Sequence, residues 1–97
     1  MSFTAWNRDE RESFDLGIMA RAELKELRER TRDIQGLKIT QRPIQRGAVG
    51  YSHVTATITA VSHARVTSRL QELRAVQDAM TAERRARWQE KYGDLGG

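Results

Sequence analysis

The sequence predicts an α+β fold of long helix, antiparallel β-hairpin and long helix, an α-ββ-α order with the helices packed antiparallel and the hairpin at one end. Three observations carry this. Ala20, Leu24, Leu27, Thr31 and Ile34 step by fours and threes along one helical stripe. Two runs, 37–42 and 53–60, alternate apolar and polar residues on either side of a glycine-bearing loop. Val66, Leu70, Leu73, Val76 or Gln77, and Met80 then return to the helical period. A chain of 97 residues supports one domain, 1–97, and excludes a two-domain enzyme.

The first 35 residues read as helix. Asn7 with Glu10 three positions on resembles a capping box, and Asp9 and Glu12 suit the positive end of a helix dipole. Glu26 and Arg30 form an i,i+4 ion pair in the favourable order, and Gly36 suits the left-handed residue that ends a helix. Next, Leu37, Ile39 and Gln41 alternate with Lys38, Thr40 and Arg42 until Pro43, which lacks a backbone donor and marks a strand edge or exit. Residues 44–50 connect to the clearest strand, where Val54, Ala56, Ile58 and Ala60 alternate with His53, Thr55, Thr57 and Thr59. A third short strand within 44–51 stays open. Ser62 is a suitable N-cap for the second helix. After Met80 its stripe falls on Arg84 and Arg87 while the apolar residues reappear one position later at Trp88, Tyr92 and Leu95, so the helix either bends or changes partner. A compact module over 16–81 follows, with extensions 1–15 and 82–97 that carry most of the aromatic residues.

Charge is distributed unevenly. From Ile34 to Gln71 there is no Asp or Glu, so Lys38, Arg42, Arg46, Arg65 and Arg69 give that stretch its charge, while the rest of the chain is nearly neutral within a net +4. An acid-free hairpin beside a basic helix start presents an anion-binding surface for which phosphate is the natural counter-charge. The plainer account is that strands and turns simply use Thr, Ser, Gln and Gly, leaving ordinary surface cations. The large apolar residues make only a thin core for a monomer, which points to a homo-oligomer. Trp6, Phe14, Trp88 and Tyr92 are the candidate interface residues, either packing together within one chain or anchoring a partner subunit.

Catalytic chemistry has little to work with. There is no cysteine and no phosphate-loop motif, and His53 and His63 lack metal-ligand spacing. The expectation is no catalytic residue, no metal, no cofactor and no small-molecule substrate. The absence of an apolar run near 18 residues and of a signal-peptide core argues against a membrane partner. The expected location is the host cytoplasm or the virion.

The α-ββ-α layout, with the strand from Val54 to Ser62 running into Leu70-Gln-Glu-Leu73, resembles the small head-to-tail joining protein of lambda-like phages, the protein W type. The match covers 16–81 and rests on the Thr-Ala-Thr strand, the Ser-capped helix and the Arg cluster after it. It implies a ring-forming structural protein at the portal, with basic residues toward the DNA exit channel. A fainter resemblance is to nucleoid-associated dimers of the YbaB type, although their glycine-framed strand is missing. The expected functions are therefore a phage-derived structural or assembly protein, a basic nucleic-acid-binding homodimer, or a small phage-encoded inhibitor of a host protein that meets an acidic surface.

Overall fold

The computed structural model describes residues 9–44 and 49–93. It is a mixed α+β structure, with the elements β1 (Glu10–Ala20), α1 (Arg21–Arg30), β2 (Leu37–Pro43), β3 (Tyr51–Ala60) and α2 (His63–Tyr92). The strand β3 is central. Both β1 and β2 pair with it antiparallel, in the order β1-β3-β2. From Arg21 onward the order is the expected helix, hairpin and helix; the correction lies ahead of it, where a third strand replaces the predicted helical start.

That correction has a physical cause. Phe14, Leu16 and Ile18 alternate with Ser13, Asp15 and Gly17, a period-two run that fits a strand. Gly17 adopts φ +86°, which no α-helix interior contains, and the register slips between Asp15 and Gly17 so that Leu16 is the extra residue of a bulge. Glu10, expected to complete a capping box, instead opens β1 opposite Ala60. Its expected partner Asn7 lies outside the described residues. The strand thus takes in residues Glu10 to Asp15, ahead of Leu16.

Helix α1 is shorter than predicted. Thr31 ends it, with its backbone N–H and its Oγ1 both donating to the Leu27 carbonyl at 3.0 and 2.7 Å, so a buried hydroxyl is satisfied inside the cap. Gly36 does take the left-handed conformation, φ +74°, but at the entry to β2 rather than at the helix end. A Cβ there would lie 2.0 Å from the Thr59 carbonyl oxygen. Only glycine lets β2 approach β3 so closely.

The hairpin does not sit at one end of the helices. Both cover the same face of the sheet. Leu24 and Leu27 of α1 and Leu73 and Met80 of α2 share one buried cluster with Leu16, Met19, Val54 and Ala56. Val66 completes a second cluster with Ile58 and Ala60, against which Phe14 packs. Leu27, Ile58, Leu73, Val54 and Val66 are fully buried, and each such side chain contributes about 1.5–3 kcal/mol. Ser62 caps α2 as predicted, its Oγ accepting from the Arg65 N–H at 3.3 Å. The helix then runs unbroken through Arg84 to Tyr92, and after Met80 every residue is exposed. Two ion pairs hold the point of departure: Arg30 with Glu83 in a two-bonded pair at 2.6 and 3.0 Å, and Arg84 with Glu23 at 2.8 Å. The predicted Glu26–Arg30 pair closes at 2.7 Å and shares the same guanidinium.

Candidate anion-binding sheet face

With both helices on one side, the described residues leave the other side of the sheet open. Strand alternation sends Val54, Ala56, Ile58 and Ala60 into the core and His53, Thr55, Thr57 and Thr59 outward. The register builds rows across the three strands. Ser13, Thr57 and Lys38 form one, Asp15, Thr55 and Thr40 the next, and Ile18, His53 and Arg42 a third. The hydroxyls interlock: Ser13 Oγ lies 3.0 Å from Thr57 Oγ1, and Thr40 Oγ1 donates to the Thr55 carbonyl at 3.4 Å. A shallow concavity of about 310 Å³ is lined by Thr40, Gln41, Arg42, His53 and Thr55.

Lys38 and Arg42 are both exposed on this face, four residues and hence roughly 13 Å apart along β2. Neither makes an ion pair with the described residues. Asp15 is the one acid in these rows, and its charge is already engaged. Its Oδ1 accepts from the Gly17 N–H at 2.9 Å and from His53 Nε2 at 2.6 Å, and these two bonds, the backbone one foremost, hold its carboxyl below the usual carboxylate range. The row beyond places Arg11 opposite Thr59, adding a cation.

The five predicted anion-binding residues therefore separate. Lys38 and Arg42 come together on the open face. Arg65 is exposed on the first turn of α2. Arg69 is half-buried, and its Nη1 donates to the Thr59 carbonyl at 3.0 Å, sealing the strand end beside Gly36. Its Nη1 is thus engaged in the fold. Arg46 lies outside the described residues. Arg11, which the sequence reading left inside a helix, joins the face instead. The period-two run after it is the signal that could have found it.

The expected interface residues also divide. Phe14 is half-buried against the core, and Trp6 lies outside the described residues. Trp88 and Tyr92 stay exposed, at 60% and 38%, with ring centroids 5.5 Å apart on the projecting half of α2. Glu12 touches His63 at 3.1 Å, which places the start of β1 beside the start of α2.

Among the described residues, no three His, Asp or Glu side chains come together as metal ligands, and no helix is long and apolar enough to cross a membrane. His53 with Asp15 has the outline of an oriented acid–base pair, but no nucleophile hydroxyl is bonded to the ring. No family model, curated protein or solved structure matches the chain.

Proposed function

We propose that the chain is a non-enzymatic structural or assembly protein, phage-derived and homo-oligomeric, that lays its open sheet face against an anionic surface, DNA first among them. The observation that carries this is the pair of cations, Lys38 and Arg42, without ion-pair partners among the described residues, on a hydroxyl-rich sheet face that the described residues leave uncovered and whose one acid is held by its own neighbours. Cations and hydroxyls in fixed rows suit phosphate oxygens, and contacts of that kind set position without reading base sequence. The helix-hairpin-helix order from Arg21 onward supports the likeness to head-to-tail joining proteins. In that setting the face turns toward the DNA exit channel and the protein works in the host cytoplasm and the virion.

The test is binding to duplex DNA across a salt series. Affinity falls steeply as salt rises, and Lys38→Glu with Arg42→Glu abolishes it. Unchanged binding by that double variant would sink the proposal. A second reading, a nucleic-acid-binding homodimer of the nucleoid-associated kind, rests on the same two cations. Tight binding to DNA by the protein alone, with no co-assembly partner, favours it over the assembly role. Salt-sensitive capture of an acidic protein with no affinity for DNA favours a host-protein inhibitor instead.

A further inference from the structure

Among the described residues the sheet has two free edges, and they are built differently. On β2 the outward-facing residues are Lys38, Thr40 and Arg42, and Pro43 ends the strand. Symmetric antiparallel pairing of two β2 edges sets Lys38 against Arg42 when centred on Thr40, Lys38 against itself when centred there, and Arg42 against itself when centred there. Each of these three registers opposes like charges, and the proline removes a donor, which is how natural edges resist pairing.

The β1 edge is the opposite case. Ahead of its bulge, Arg11, Ser13 and Asp15 share the open face. A two-fold axis through Ser13 places Arg11 of one copy opposite Asp15 of the other, twice, with serine facing serine at the centre. Registers centred on Arg11, Glu12 or Asp15 set like charges together, and one centred on Phe14 forms no ion pair, so charge favours the Ser13 alignment. The groups are also available for it. Arg11 has no ion-pair partner among the described residues, and both bonds to Asp15 fall on Oδ1, leaving Oδ2 without a partner among them. The Asp15 side chain is 68% exposed yet oriented by His53 and the Gly17 N–H. On the helix side the same register sets Phe14 diagonal to its own copy, within aromatic reach.

We infer that the free edge of β1 pairs antiparallel with the β1 edge of a second copy of this chain, in the register that joins Arg11 to Asp15 across a two-fold axis at Ser13. This deepens the homo-oligomeric part of the proposed function by naming the surface that forms the oligomer. An axis perpendicular to the sheet keeps both helix layers on one side and both open faces on the other. The product is a continuous six-stranded sheet, with Lys38 and Arg42 of the two copies on its outermost strands, five strand spacings or about 24 Å apart.

The chain has no cysteine, so a single introduced thiol reports the geometry directly. Residues facing each other across antiparallel strands have Cα atoms about 4.5–5.5 Å apart, within disulfide range. Oxidised Ser13→Cys protein is expected to give a covalent dimer at protein concentrations where Thr40→Cys, on the β2 edge, does not. In the cysteine-free background Arg11→Glu weakens self-association about tenfold, read by sedimentation equilibrium, with an unchanged far-ultraviolet circular dichroism spectrum showing that the sheet still forms. Equal cross-linking at both edges, or oligomers unaffected by Arg11→Glu that give no Ser13→Cys cross-link, would overturn the β1 pairing while leaving self-association standing. A strict monomer at high concentration would remove both.

Discussion

The two faces of β3 differ in almost everything but their backbone. Toward the helices, Val54, Ala56 and Ile58 are wholly buried and Ala60 nearly so; one residue along in each case, His53, Thr55, Thr57 and Thr59 look out, with no layer over them among the described residues. Stability is therefore concentrated on one face and the proposed recognition on the other, and the strand's alternation keeps them separate. Substitutions can then be sorted by which face they strike.

The largest expected effects fall on the covered face. Leu73→Ala and Leu27→Ala each remove a fully buried side chain between helix and sheet and should cost about 2–5 kcal/mol in urea unfolding, while the folded fraction still binds DNA with unchanged affinity. A parallel loss of DNA affinity in the folded protein would break the separation of faces. Gly36→Ala comes next. The left-handed backbone alone costs roughly 1–2 kcal/mol, and the added Cβ must push β2 away from the Thr59 carbonyl, so the thermal midpoint should fall by more than the backbone cost implies.

On the open face the ranking reverses between stability and binding. Lys38→Glu and Arg42→Glu should each leave unfolding within about 0.5 kcal/mol of the parent while lowering DNA affinity and flattening its salt dependence. Thr57→Ala, which removes only the exposed bond to Ser13, should move stability by a similarly small amount, and a larger loss in urea would show that the hydroxyl rows hold the sheet together.

Acid dependence is the mildest effect. The hydrogen bonds from Arg30 hold the Glu83 carboxyl below its usual range, and those from Gly17 and His53 do the same for Asp15. A carboxyl whose pKa is lowered by folding stabilises the folded state above its unfolded pKa, and that contribution is lost as pH falls through the folded one. Unfolding measured from neutral pH down through the carboxylate range should show a gradual loss, shallower in Glu83→Gln. Identical acid profiles for the parent and the variant would remove Glu83 from the account.

Legibility followed the range of the forces involved. The Ser62 cap, the Glu26–Arg30 pair, the alternation of β3 and the stripe of α2 all act within a few residues, and the sequence displays each. The start of the chain misled because Glu10, Glu12 and the Leu16–Ala20–Leu24 spacing satisfy helical rules locally. What makes Glu10–Ala20 a strand is pairing with residues some thirty to fifty positions away, from Ala20 opposite Tyr51 to Glu10 opposite Ala60. The bond from Arg69 to the Thr59 carbonyl was illegible for the same reason, since packing alone brings the two together.

By itself, then, the sequence determined the α+β class, the β2–β3 hairpin, the capped second helix and the acid-free stretch from Ile34 to Gln71, because periodicity, capping and charge are properties of neighbouring residues. Only the tertiary structure decided that a third strand precedes the first helix, that both helices cover one face, and that Arg11, Lys38 and Arg42 share the other. Those outcomes depend on burying one apolar face of a three-stranded sheet, a non-local term in which every strand and both helices take part.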